Sequence, residues 1–129
     1  MDHDTKQRRK DLDRNGNMAF LTKLEELFML AVFHHDEPAA LMDIREYLLD
    51  KTGKDWAIAS LYIALDKLKK RGFVKSFKGE PKQVRGGKAL RYYLLTRTGI
   101  AALKESWKMQ EGMWKDFVSS FDRNNRIDE

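Results

Sequence analysis

Ala57-Ile58-Ala59-Ser60-Leu61-Tyr62-Ile63-Ala64-Leu65-Asp66-Lys67-Leu68-Lys69-Lys70-Arg71-Gly72, then Phe73-Val74-Lys75-Ser76-Phe77-Lys78, then a glycine-rich basic turn and Leu90-Arg91-Tyr92-Tyr93-Leu94-Leu95-Thr96, is the stretch that decides the fold. At ~100° per residue, Leu61, Ala64, Leu65 and Leu68 fall on one apolar stripe, so the first part reads as an amphipathic helix. Gly72 stands where a left-handed C-terminal cap belongs. Phe73, Val74 and Phe77 begin a strand, and Leu90, Tyr92 and Leu94 alternate on its partner. The expectation is a helix, a glycine stop and two strands joined by a cationic loop.

Charge is concentrated in the same stretch. From Lys67 to Arg91 there are ten Lys or Arg against one acid, Glu80, so this segment carries +9 of a chain whose net charge is +5. A localised basic surface suits a polyanion. Ala59, Ile63, Asp66, Lys67 and Lys70 lie opposite the apolar stripe, with Ser60 and Tyr62 on its flanks. Solvated lysines are the ordinary content of such a face. Ile63 in its middle is not, since burial within the domain does not explain it. A thymine methyl would suit Ile63, and phosphates would suit Ser60, Tyr62, Lys67 and Lys70. The loop carries Lys78, Lys82, Arg85 and Lys88 among Gly79, Pro81, Gly86 and Gly87, with Arg91 just beyond. It has neither the spacing of a P-loop nor a following helix, so nucleotide binding is not indicated. Contact with a DNA backbone or minor groove accounts for its charge, and a solvated hairpin tip is the alternative.

Downstream, Thr96 caps a final helix over about residues 97–122. Ile100, Leu103, Trp107, Gln110, Trp114, Phe117 and Phe121 recur at alternating spacings of 3 and 4, an a/d seam over three heptads. A helix of ~25 residues is about 37 Å long, more than a small core covers. Its far aromatics would be exposed in a monomer, which implies a second subunit.

Upstream, residues 1–19 form a polar arm in which Arg8, Arg9 and Lys10 are candidate DNA contacts. Thr22 and Glu25 have capping-box spacing. Leu24, Leu27, Phe28, Ala31 and Val32, widened by Leu30 and Phe33, make a first helix apolar enough to be buried on more than one side. His34-His35 near its end is better explained by the helix dipole than by a metal, because no third ligand stands at a suitable spacing. Asp36-Glu37-Pro38 turns the chain. Met42, Ile44, Tyr47, Leu48 and Leu49 mark a second helix from about Leu41 to Thr52, stopped by Gly53. Asp55-Trp56-Ala57 reads as a short first strand, with Trp56 a core or edge anchor. Residues 123–129 are a polar tail.

With 129 residues, 42% hydrophobic and 35% charged, the chain suits one core. It has no cysteine, no apolar run of membrane-spanning length and no apolar stretch behind its N-terminal charges, all of which fit a cytoplasmic protein. No HExxH, GxSxG or GxGxxG occurs, so no enzyme and no cofactor is expected.

Leu61-Tyr62-x-x-Leu65-Asp66-x-Leu68-x-x-x-Gly72-Phe73-Val74, Gly86-Gly87-Lys88 and Arg91-Tyr92-Tyr93-x-Leu95-Thr96-x-x-Gly99, with Leu21-Thr22-x-Leu24-Glu25-Glu26-Leu27 and Ile44-Arg45-Glu46 upstream, resemble the PadR family of winged-helix transcriptional regulators. The resemblance spans roughly residues 20–115. The family usually has Tyr-Gly where Ala40-Leu41 stand here. The resemblance implies an α+β, mainly α, winged helix-turn-helix over 20–96 that binds double-stranded DNA. It also implies a homodimer built on the C-terminal helix, with Leu103, Trp107, Gln110, Trp114, Phe117 and Phe121 at the interface. Some PadR-like proteins respond to phenolic acids or bind aromatic drugs between subunits, which makes Trp107 and Trp114 candidates for an effector pocket. Repression from an inverted-repeat operator is the family habit. Winged helices also serve as protein-interaction modules, in which the basic face would meet an acidic partner.

Overall fold

The computed structural model of the protein describes residues 20–34, 37–81 and 89–124. Arg8, Arg9, Lys10, His35, Lys82, Arg85, Gly86, Gly87 and Lys88 lie outside the described residues, as does the end of the polar tail. The element order is α1 (Lys23–Phe33), β1 (Ala39–Ala40), α2 (Leu41–Thr52), α3 (Ile58–Lys70), β2 (Val74–Pro81), β3 (Ala89–Leu95) and α4 (Arg97–Asn124). The three strands form one antiparallel sheet in the order β1-β3-β2. A helix trio with this small sheet behind it is a winged helix-turn-helix, α+β and mainly α.

The helix ends follow from local chemistry. Thr22 Oγ1 accepts from Glu25 N–H at 3.1 Å, and Glu25 Oε1 accepts from Thr22 N–H at 2.8 Å, so the capping box forms in both directions. Gly53 ends α2, its N–H donating to Leu49 O at 2.9 Å. Gly72 has φ 87°, a left-handed conformation that a Cβ would strain. It lets Phe73 N–H turn back to Leu68 O at 3.0 Å. Thr96 Oγ1 caps α4 by accepting from Gly99 N–H at 3.0 Å and donates its own proton to Gly72 O at 2.6 Å.

Phe28, Met29, Ala31 and Val32 of α1, Ile44 and Leu48 of α2, and Leu61, Leu65 and Leu68 of α3 meet Phe73, Val74 and Tyr93 in the core. Three expectations need correcting. Asp55-Trp56-Ala57 is not a strand; β1 is Ala39–Ala40, paired with Tyr93 and Tyr92. Two alanines carry little strand propensity and make too short a strand to read from pattern. Trp56 instead packs edge-on against Phe28, ring centroids 5.4 Å apart, with the Lys54 ammonium 4.9 Å from its own ring centre. The second correction is the phase of β3. Tyr93 and Leu95 are the buried residues, whereas Leu90 is exposed and Tyr92 and Leu94 are half-buried. The pairings Val74↔Leu95 and Ser76↔Tyr93 put the odd positions of β3 toward the helices. Both phases of this strand are apolar, so alternation alone does not choose between them. Phe77 stacks on Tyr92 on the outer face at 6.0 Å. Third, the core face of α1 is turned from the expected one, with Met29 and not Leu24 beside Phe28, Ala31 and Val32. Met29 is fully buried while Leu24, Leu30 and Phe33 are each nearly half exposed. Met42 and Leu49 of α2 are likewise exposed.

Arg71 joins three elements just after α3. Its guanidinium pairs with the Glu25 carboxylate, donates to Phe20 O at 3.4 Å and lies 4.8 Å from the centre of the Phe73 ring. The Glu25 side chain thus both closes a helix cap and receives a half-buried arginine. Replacing Glu25 with alanine is expected to cost about 2 kcal/mol, from the lost cap and a cation left partly desolvated. The midpoint of urea unfolding, at unchanged slope, measures it. A loss below about 0.5 kcal/mol would show that neither contact contributes much.

Candidate nucleic-acid interface

Once Leu61, Leu65 and Leu68 are buried, the 3.6-residue repeat fixes which side of α3 faces out. Ala59, Ser60, Tyr62, Ile63, Lys67 and Lys70 are all exposed. Ile63 is 55% exposed and Tyr62 47%. Lys70 pairs with Asp66 one turn back at 3.3 Å on the open surface, which is worth little in water. Among the described residues Lys67 makes no ion pair. The N-cap is Ala57, which offers no side-chain hydrogen bond, and the first turn holds no acid. The amino end of α3 therefore has no side-chain cap and no acid in its first turn.

The sheet adds three further basic residues, Lys75 and Lys78 exposed on β2 and Arg91 on β3, where Arg91 pairs across from Lys78. Arg91 on β3 is half-buried and donates from Nη1 to Ser76 Oγ on β2 at 3.2 Å. Burial pushes the Tyr93 hydroxyl above its ordinary value; Arg91 nearby pulls the other way, and Tyr62 and Asp66 of α3 push with the burial. Tyr93 therefore stays a neutral donor at physiological pH.

A second feature lies along α4. Its first part is covered, with Ala102 and Ser106 buried and Ile100 and Leu103 half-buried. Beyond it the seam opens to solvent: Trp107 is 64% exposed, Trp114 56%, Phe117 51% and Phe121 38%. Trp114 meets Phe117 edge-on at 6.0 Å, and Phe117 lies 6.3 Å from Phe121. A groove of about 900 Å³ runs between α1 and α4, walled by Leu30, Phe33, Leu103, Trp107, Trp114 and Val118. Its floor holds a polar contact. Gln110 Nε2 donates to Glu26 Oε1 at 2.8 Å and to Ser106 Oγ at 2.9 Å. The sequence placed Trp107, Gln110 and Trp114 on the seam. It missed Leu30 and Phe33 as the facing wall, and it missed Met113 and Val118 as further exposed apolar residues, because helical spacing says nothing of which second helix lies opposite.

His34 near the end of α1 packs on Tyr47, ring centroids 4.0 Å apart. Among the described residues no cluster of three His, Cys, Asp or Glu side chains is placed to hold a metal ion, and no helix is long and apolar enough to cross a membrane.

No protein-family model matches the sequence, and no curated protein matches it. Solved structures do. A PadR-like transcription factor from Bacteroides fragilis is 26% identical over 93% of this chain and 96% of its own, with a TM-score of 0.57. A PadR family transcriptional regulator from Eggerthella lenta is 25% identical over 79% and 88%, also with a TM-score of 0.57. A PadR-like transcriptional regulator from Bacillus cereus shares the fold at 18% identity, covering 78% and 92% with a TM-score of 0.60. By their names these neighbours are transcription regulators. With its strand order, its exposed third helix and these likenesses, the chain has a winged-helix fold similar to that of PadR-type regulators.

Proposed function

We propose that this protein is a cytoplasmic transcriptional regulator that binds double-stranded DNA sequence-specifically as a homodimer, acting as a repressor at an inverted-repeat site. The winged helix over 20–96 reads DNA, and the helix from residue 97 joins two copies. One observation carries the DNA reading: α3 presents Ile63 and Lys67 on the exposed face opposite its buried leucines, with Ser60 and Tyr62 exposed on the two flanks of that face. A branched apolar side chain flanked by a phenol, a hydroxyl and a lysine suits a thymine methyl between phosphates. The regulator neighbours support the same reading. The open seam of α4 supports the dimer, since among the described residues Trp107, Trp114 and Phe117 are each more than half exposed. A two-fold protein reads a two-fold site, with recognition helices roughly 34 Å apart. The groove beside Trp107 and Trp114 also offers aromatic walls to a small aromatic or phenolic effector at the subunit interface.

Two substitutions separate phosphate contact from base reading. Lys67→Ala is expected to weaken binding about equally on all sequences, and to reduce the slope of log K against log salt by about 2 for the dimer, one phosphate contact from each copy. Ile63→Ala is expected to leave that slope unchanged and lower discrimination at one base pair by about 1 kcal/mol. Titrations against matched and singly substituted duplexes at two salt concentrations measure both. Variants that behave as wild type in slope and discrimination would show that DNA does not meet this face.

A further inference from the structure

The turn that delivers α3 to its ligand is held at every residue from Thr52 to Trp56. Thr52 Oγ1 donates to Leu48 O at 2.6 Å and accepts from Lys54 N–H at 3.1 Å. Gly53 takes the left-handed conformation, φ 77°. The Lys54 ammonium lies over the Trp56 ring, and that ring is lodged against Phe28 of the core. Arg45 of α2 reaches across to Asp55, with Nε–Oδ1 at 2.7 Å and Nη2–Oδ2 at 3.0 Å. This is the two-pronged geometry in which a guanidinium fixes direction as well as distance. Asp55 stands two residues before the N-cap Ala57, and Ala59 and Ser60 follow within the first turn of α3. That N-cap has no side-chain hydrogen bond of its own. The amino end of α3 therefore takes its position from the turn, and the turn's only ion pair among the described residues is this one.

We infer that Arg45 and Asp55 are a positioning pair for base reading: their fork sets where Ala59, Ser60 and Ile63 sit in the groove, and neither residue is itself a contact to DNA. The inference rests on the proposed DNA-binding function. It assigns an arginine beside the recognition helix to a carboxylate instead of a phosphate, and it gives an acid near a polyanion a favourable role. The sign of that role separates it from simple electrostatics. An acid that merely sits near DNA repels it, so neutralising it strengthens binding to every duplex. An acid that positions the reading helix does the opposite for the specific duplex alone.

The experiment uses the full chain and a duplex that the wild-type protein enriches from a random-sequence pool, with a scrambled duplex of equal length as reference. Asp55→Asn and Arg45→Gln are each expected to lower the ratio of selected to scrambled affinity about tenfold, the scale of one misread base pair. Asp55→Asn should not weaken binding to the scrambled duplex. The exchanged pair, Arg45→Glu with Asp55→Arg, should restore most of the ratio, because the fork is rebuilt with its ends reversed. A variant that has only lost stability has a lower melting temperature and a smaller active fraction but an unchanged ratio. The inference is overturned if Asp55→Asn tightens both duplexes equally, or if Arg45→Gln weakens both equally and flattens the salt dependence as a phosphate contact would. A wild-type protein that enriches no sequence overturns the proposed function, and this inference with it; a wild-type protein that enriches one, with variants of unchanged ratio, overturns the pair alone.

Discussion

Gly99→Ala is expected to destabilise the protein by about 3 kcal/mol or more, a large share of the ~5–15 kcal/mol that holds a domain of this kind. A Cβ at position 99 would stand 2.1 Å from the carbonyl oxygen of Phe73, 3.0 Å from its carbonyl carbon and 3.2 Å from its Cα. Every one of these atoms is backbone, so no side chain can rotate away. The same carbonyl oxygen accepts from Thr96 N–H at 3.0 Å, and Thr96 Oγ1 is bonded to both Gly72 O and Gly99 N–H. Relieving the clash therefore breaks the join between α3, β2 and α4. Gly112 on the same helix is the control: a Cβ there would meet nothing within 4 Å. Gly112→Ala is expected to stabilise by about 0.5–1 kcal/mol through helix propensity. Thermal unfolding of the two variants should move in opposite directions, with Gly99→Ala lower by about 10 °C. A Gly99→Ala protein that melts with the wild type would contradict the close approach of α4 to Phe73.

Trp114→Glu is expected to turn the proposed dimer into monomers. Trp114 is 56% exposed in the single chain and stands between Trp107 and Phe117 on the seam. A buried tryptophan at a subunit interface typically contributes about 2 kcal/mol or more. A two-fold interface loses it twice, so the dissociation constant should rise about 10³-fold. Sedimentation at micromolar concentration distinguishes the states, and DNA affinity should fall with them because one half-site binds far more weakly than two. A wild-type protein that sediments as a monomer at that concentration would remove the basis for the dimer, and with it the inverted-repeat operator.

What could be read from the sequence divides along physical lines. The capping box of Thr22 and Glu25, the stop at Gly72 and the Thr96 cap are local patterns, and the structure has each of them. The outward face of α3 followed from its core stripe, because a helix that buries Leu61, Leu65 and Leu68 has no choice about where Ile63 points. The rest depended on partners distant in the chain. β1 is two alanines that pair only because Tyr92 and Tyr93 are there to receive them. β3 is apolar on both sides, so only its register with β2 decides that Tyr93 and Leu95 go inward. Met29 replaces Leu24 in the core because the packing of α1 against the other elements, invisible in a single segment, sets the angle of its buried face. Arg45 with Asp55, and Gln110 with Glu26, are 10 and 84 residues apart, and nothing in the spacing announces either pair.

The most direct test is a gel-shift titration of the full chain against DNA from upstream of its own gene, with a scrambled duplex as competitor, at two salt concentrations. Binding of one dimer per site at nanomolar protein, resistant to the scrambled competitor and weakening steeply with salt, is the predicted result. Equal affinity for the two duplexes would reduce α3 to a basic surface without sequence reading at this site. Absence of binding even at the lower salt would contradict the DNA-binding function itself and leave the basic face to an acidic protein partner.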